Sequence, residues 1–261
     1  MQWIEEKLNT LANYIFISST LPDPPPMRDT LKIVAHRGAH RESKTIENTI
    51  PAFEACRKND MIWGLEMDVR LTADMELVIH HDPACGRLFG RPDIIIADTA
   101  FADLRKNVPG IPLLTEIISQ FTPKFHLMIE IKEDPATRPE LPKKIQTVLA
   151  PLNAVHDFHL LSLIPGYLDY FDKIPKSAFV DVALFDVSRI MEINLRLGHG
   201  GIAGPFALFT NSKLRTLREV GRNIGTGFLE TRGAFNREFN RKVDWIFSNY
   251  PLRMAQFAGE Q

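Results

Sequence analysis

The chain has 261 residues, 44% of them hydrophobic and 24% charged, which suits one α/β barrel or two smaller domains of an ordinary water-soluble protein. Lys and Arg total 31 against 32 acidic residues, and this balance gives nucleic-acid binding no support. No apolar run approaches a membrane span, and the two cysteines, Cys56 and Cys85, read as reduced thiols of a cytoplasmic protein rather than a disulfide.

Residues 1–30 are expected to form an N-terminal helix and a proline-rich connector, ahead of a single barrel domain over 31–261. Ile4, Leu8, Leu11 and Ile15 lie on one helical face. Glu5 and Glu6 stand where a secretory leader would carry basic residues. The helix is expected to plug the base of the fold, with peripheral membrane contact through residues 1–20 as the alternative. Leu21-Pro22-Asp23-Pro24-Pro25-Pro26 ends it stiffly.

A first strand is predicted over about 31–37, where Ile33-Val34-Ala35 runs into His36-Arg37-Gly38. An apolar run that ends in polar residues is the form of a buried strand delivering chemistry at its end. Asn48 or Thr49 caps the next helix, and Pro51 fits its first turn. A second strand over about 62–69 ends in Glu66-Met67-Asp68. Only a few residues separate it from Leu77-Val78-Ile79-His80-His81-Asp82, too few for a parallel crossover, so this run folds back as an antiparallel arm. A turn centred on 72–75 sets Leu71 against Glu76 and His81 against Glu66 on the face of Asp68; a slip of one residue points His80 inward instead.

Residues 83–112 read as a long irregular loop with a short helix near 100–106. Helices are expected at 113–120, 139–149, 187–197 and 211–220, the last capped by Asn211. Strands are expected at 125–132, 158–163, 178–184, 224–229 and 243–247. Gly198 to Gly204 is a glycine-rich stretch without a phosphate-loop pattern. Strands alternating with helices, without a nucleotide fingerprint, favour a (β/α)8 barrel with a hairpin arm after strand two.

Glu66, Asp68 and Glu130 form a hard-oxygen set at strand ends, suited to Mg²⁺ or Ca²⁺ rather than zinc. His36 and His81 are candidate acid and base, since histidine titrates near neutrality. His40, His80, His126, His156, His159 and His199 are assigned structural or surface roles. Arg37 and Lys132 supply positive charge for an anionic substrate such as a phosphate.

The ordered set of motifs resembles the glycerophosphodiester phosphodiesterase family. The matching pieces are His36-Arg37-Gly38, Glu47-Asn48-Thr49, Glu66-Met67-Asp68-Val69-Arg70, His80-His81-Asp82-Pro83, Ile111-Pro112-Leu113, Glu130-Ile131-Lys132 and Val243 to Pro251. The resemblance implies a TIM-type barrel with a divalent metal, Mg²⁺ or Ca²⁺, on Glu66, Asp68 and Glu130. It implies His36 and His81 as the acid–base pair, Arg37 and Lys132 on the phosphate, and Glu47 and Asn48 lining the site. The implied reaction hydrolyses a small-molecule glycerophosphodiester to glycerol 3-phosphate and an alcohol. Lysophospholipase D-type activity and a non-catalytic headgroup-binding barrel are the alternatives. Departures from the family pattern are Ile46 in place of proline, Ser162-Leu163 in place of Ser-Phe, Gly227-Phe228-Leu229-Glu230 in place of Trp-Thr-Val-Asn, and Asn249 in place of aspartate. Phe89, Phe101 and Phe206 to Phe209 could line a greasy entrance but are assigned to core packing.

Overall fold

In strand β1 (Lys32–His36), Ile33 and Ala35 face the outer apolar layer and Val34 faces the barrel interior, the period of two that a strand imposes. The same alternation runs through β2 (Ile62–Leu71) and, after the hairpin strand β3 (Leu77–Ile79) and the short pair β4 (Ala84–Cys85) and β5 (Arg91–Ile95), through β6 (His126–Ile131). Then follow β7 (Phe158–Ser162), β8 (Phe179–Val182), β9 (Gly201–Pro205), β10 (Asn223–Gly227) and β11 (Trp245–Ser248). In this computed structural model, which describes residues 11–15 and 32–259, β1, β2 and β6 to β11 pair in parallel, and the β1–β11 and β1–β2 pairings close them into an eight-stranded barrel. The expected (β/α)8 architecture is the one observed.

Two apolar layers hold it. Val34, Met128, Leu161, Val180, Ala203, Trp245 and Phe247 fill the interior. The outer faces of the strands pack against helices through Leu114, Ile117, Ile145, Ile190, Leu217 and Phe235, among others. At the base of the interior, His126 Nε2 and His159 Nδ1 are 2.7 Å apart and Trp63 stacks on His126 at 4.1 Å; both histidines are structural, as expected. Both cysteines are free and buried. Phe206 and Phe209 are buried in the outer layer rather than lining an entrance.

Five expectations need correction. The arm pairs Leu71 with Leu77, not Glu76. The loop holds three residues, Ala73-Asp74-Met75, with Met75 left-handed at φ 66°, and Thr72 N–H donates to Glu76 O at 3.0 Å, the form of a three-residue hairpin loop. The register is therefore one residue off, and His80 N–H donates to Asp68 O. Second, residues 83–112 are not an open loop: they hold β4, β5 and helices at Gly86–Phe89 and Phe101–Asn107, around a core of Val78, Ile94, Leu104 and Val108. Third, the glycine-rich stretch contains barrel strand β9. Fourth, the helical residues 11–15 do not sit at the base. Asn13 Nδ2 donates to Phe228 O and its Oδ1 accepts from Glu230 N, each at 2.9 Å, which places this segment at the C-terminal end of β10. The expectations for 1–10 and 16–31 lie outside the described residues. Fifth, Thr210, not Asn211, caps the helix Asn211–Glu219, and the helices Arg232–Asn240 and Pro251–Gly259 were not foreseen. Among the described residues no helix is long and apolar enough to cross a membrane.

Candidate active site

Strand register brings the polar residues together. His36 is paired with Glu66, and Asp68 with Glu130, all at the C-terminal ends of adjacent strands. Because Leu65, Met67, Ile129 and Ile131 take the outer layer, Glu66, Asp68 and Glu130 project inward. One oxygen from each lies within 4.8 Å of the others, and the three residues are 2%, 0% and 8% exposed.

The chain after β1 is shaped to reach this cluster. Arg37 is left-handed at φ 56°, and its N–H donates both to the Glu66 backbone carbonyl and to Glu66 Oε2, each at 3.0 Å. Gly38 follows at φ 82°, where a Cβ would lie 2.7 Å from the Ala52 carbonyl carbon; only glycine fits this approach. Asn48, left-handed at φ 58°, donates from Nδ2 to Asp68 Oδ2 at 2.7 Å. Thr49 supplies the helix N-cap backbone, with no side-chain cap bond.

Two cations face three carboxylates. Arg37 Nε is 2.9 Å from Asp68 Oδ2 and its Nη1 2.9 Å from Glu47 Oε1. Lys132 Nζ is 2.8 Å from Glu130 Oε1 and 3.3 Å from Asp68 Oδ1. Burial pushes the Asp68 carboxyl up, but Arg37 and Lys132 outweigh it and hold the group well below the usual carboxylate range. Burial, reinforced by Asp68, pushes Glu66 well above its usual value, and burial also raises Glu130. Glu66 Oε1 is buried without a hydrogen-bond partner among the described residues. A buried carboxylate oxygen without a donor is costly, and a hard cation held by the three carboxylates would relieve it; the donor set fits such an ion.

The two histidines differ in their supports. His36 Nδ1 is 2.7 Å from Asn249 Oδ1 and its Nε2 3.7 Å from Glu66 Oε2. Burial, with Arg37 beside it, lowers its pKa to about 3. His81 Nδ1 is 2.6 Å from the Asp82 carboxylate. Strand β3 ends at Ile79 and its register continues to the His80–Asp68 bond; beyond it Arg70 grips the His81 carbonyl with two N–H groups at 3.0 and 2.8 Å, and the charges of Asp68, Arg37 and Lys132 act on the His81 ring. Arg87 joins the halves, donating to Asp82 Oδ2 at 2.6 Å and to Glu47 Oε1 at 2.7 Å. Burial pushes Glu47 up, but Arg87 and Arg37 bring it down to about 2.

All nine sequence-nominated residues therefore lie on one connected network. Sequence reading missed Arg87, which sits in a stretch taken for loop, and Arg70, whose role depends on where the arm ends. It noted Asn249 only as a departure. Arg87 carries no signal in the sequence beyond proximity to the arm, whereas Arg70 stands inside the family-like motif that begins at Glu66.

Fold and site define a class: a (β/α)8 barrel with an ionisable centre at the C-terminal ends of its strands, where barrel enzymes carry their active sites. A sequence model of the glycerophosphoryl diester phosphodiesterase family matches residues 36–173, more than half of the chain. A glycerophosphodiester phosphodiesterase of Bacillus altitudinis is 24% identical over 247 residues, covering 88% of this chain and 98% of its own. Another, from Caldanaerobacter subterraneus subsp. tengcongensis, is 28% identical over 196 residues, covering 74% and 76%. The fold matches the crystal structure of a Thermotoga maritima glycerophosphodiester phosphodiesterase with a TM-score of 0.72 at 22% identity, covering 88% of this chain and 98% of that one. It matches an Oleispira antarctica phosphodiesterase, solved with its product sn-glycerol-3-phosphate, with a TM-score of 0.75 at 21% identity and coverage of 88% and 97%. The chain belongs to the glycerophosphoryl diester phosphodiesterase family and is a phosphoric diester hydrolase.

Proposed function

We propose that the chain hydrolyses glycerophosphodiesters to glycerol 3-phosphate and an alcohol, in a reaction that depends on a divalent metal, Mg²⁺ or Ca²⁺, held by Glu66, Asp68 and Glu130. The observation that carries this reading is the buried carboxylate triad, with its orphaned Glu66 oxygen, beside the His36 imidazole. When bound, the ion supplies charge for phosphate oxygens and lowers the pKa of a hydroxyl. Arg37 and Lys132 hold the phosphate. His36, whose Nδ1–H is taken by a neutral amide oxygen, keeps a lone pair on Nε2 and serves as base. His81, whose pKa burial lowers, is backed by the Asp82 carboxylate, which works against that burial, and serves as acid toward the departing alcohol. Two titratable groups whose surroundings differ in this way divide acid and base duties.

The test is release of glycerol 3-phosphate from a panel of glycerophosphodiesters by the parent, His36→Ala and His81→Ala. Each substitution is expected to lower kcat by roughly 10²- to 10⁴-fold, and the double variant by little more than either single one. A well-folded parent that releases no product, or variants that retain parental rates, would contradict the reading. Lysophospholipase D-type activity is a second reading, favoured by the apolar wall that faces the triad. Peripheral lipid contact through residues 1–20 draws support from Leu11, Tyr14 and Ile15, which are 57%, 70% and 63% exposed. Their replacement by serine is expected to weaken co-sedimentation with liposomes, and unchanged binding would remove that part of the proposal.

A further inference from the structure

The barrel interior is divided. His36, Glu66, Asp68, Glu130 and Lys132 come from β1, β2 and β6, or from the residue just after β6. The opposite wall comes from β7 to β11 and is apolar. A cavity of about 70 Å³ runs from His36, Glu66 and Glu130 to this wall, which is formed by Leu161, Val182, Ala203, Gly227 and Phe247. Its remaining polar side chains are already committed. Ser248 Oγ donates to Leu229 O at 2.8 Å and accepts from Tyr250 N–H at 3.0 Å, and Asn249 Oδ1 holds His36.

Glycine placement explains the empty space. Lower in the barrel, glycines on β9 and β10 are covered by the aromatic rings of β11. A Cβ on Gly201 would lie 3.0 Å from the Trp245 ring, and one on Gly225 would lie 2.7 Å from the Phe247 ring. Those glycines are packing partners of large side chains. Gly227, one layer higher and level with the site, has no such cover. A Cβ there would meet nothing nearer than 3.8 Å, from Gly204 O and Phe247 Cβ, and its φ is not in the left-handed region. Neither backbone conformation nor packing requires glycine at 227, so the space it leaves is open to a ligand.

We infer that this space receives an apolar ester arm of the substrate, and that Gly227 determines specificity by leaving room for it. The inference rests on the phosphodiesterase reading and deepens it by naming the substrate class: phosphodiesters with an alkyl or alkyl-chain arm next to phosphorus. An arm rich in hydroxyls would find few donors or acceptors along this wall, and burying unpaired hydroxyls is unfavourable. An arm of methylenes gains from removal from water. With one water occupying about 10–15 Å³ of such volume, the cavity holds roughly five non-hydrogen atoms.

The experiment is calorimetric binding of n-alkyl phosphates, methyl through octyl, to the full chain in saturating Mg²⁺ or Ca²⁺, beside turnover of the corresponding alkyl esters of glycerophosphate. Affinity is expected to rise about threefold to fourfold per carbon and to level off near about five carbons. In Gly227→Val, the ratio of butyl to methyl affinity is expected to fall toward one, with Gly227→Ala intermediate. Metal binding and melting temperature report that each variant is folded, and Gly227→Ala adds a single carbon where there is room. A flat series in the parent, or a parental slope in both folded variants, would overturn the inference. If the length dependence is present but no glycerophosphate ester is turned over, the phosphodiesterase reading fails and the cavity assignment stands.

Discussion

His36 Nδ1 lies against an amide oxygen that can only accept, so Nδ1 carries the proton and Nε2 is left with its lone pair toward Glu66. In the proposed reaction Asn249 positions His36. Asn249→Ala is expected to lower kcat roughly 10- to 100-fold with KM little changed, and Asn249→Asp, which can accept the same bond, is expected to recover most of that loss. Equal rates for the alanine variant and the parent would remove Asn249 from the account. Glu66 makes a separate claim on stability. Its carboxyl is raised by burial and by Asp68, so in metal-free protein its contribution is present below the unfolded pKa and is lost as pH rises through the raised folded value. At pH 8, above the unfolded value, that contribution is diminished and Glu66 weakens the metal-free fold. Glu66→Gln is expected to melt higher than the parent there without metal. It is also expected to lose most of the rise of about 5–10 °C that metal at a hundredfold excess over its Kd gives the parent. Melting curves at pH 8 with and without chelator check both parts.

At the scale of elements, the site hangs on two short connections, the turn after β1 and the arm after β2. Gly38 lets the first turn back against Ala52. Gly38→Ala is expected to cost about 2–4 kcal/mol through the left-handed backbone and the clash together, readable as a lower denaturation midpoint; an unchanged midpoint would show that the turn relaxes. Arg87 ties the arm to the first loop through Asp82 and Glu47. Its side chain is 36% exposed, and pairs at such positions contribute little to stability. Arg87→Ala is expected to shift the melting temperature by less than about 3 °C while lowering kcat roughly tenfold through a looser His81. A large thermal loss with unchanged kcat would make Arg87 structural.

The same two connections show what the sequence could tell. Polar residues at strand ends were legible because an apolar run that stops at His36, Glu66, Asp68 or Glu130 leaves few other readings. The hairpin register was not, because it depends on Met75 accepting a left-handed conformation that glycine would have signalled and methionine does not. Strand β9 was hidden for a related reason. Gly201-Ile202-Ala203-Gly204-Pro205 has one β-branched residue, and its extended form is fixed by neighbours: Asn223 N–H donates to Gly200 O, and Ala183 N–H donates to Ala203 O. The ring of Trp245 lies over Gly201. The order within residues 83–112 is hard to see from that stretch alone because its small core is shared with Val78 of the arm.

For the whole molecule, the barrel separates duties by sector. The strands early in the chain supply the charged residues, and the later strands supply an apolar wall whose small residues leave space beside the charged cluster. The helical residues 11–15 lie at the same end, with Asn13 bonded to Phe228 O and Glu230 N on either side of Leu229. We propose that one divalent ion completes the buried triad and that turnover depends on it. The most direct test is to dialyse the protein against chelator, measure release of glycerol 3-phosphate, and titrate back Mg²⁺ or Ca²⁺ while following heat of binding on the same sample. The account predicts no turnover after dialysis. Activity should return in proportion to occupancy of one site per chain, and both signals should be lost in Glu130→Gln. Full activity in chelator, or metal binding that leaves Glu130→Gln unaffected, would contradict it.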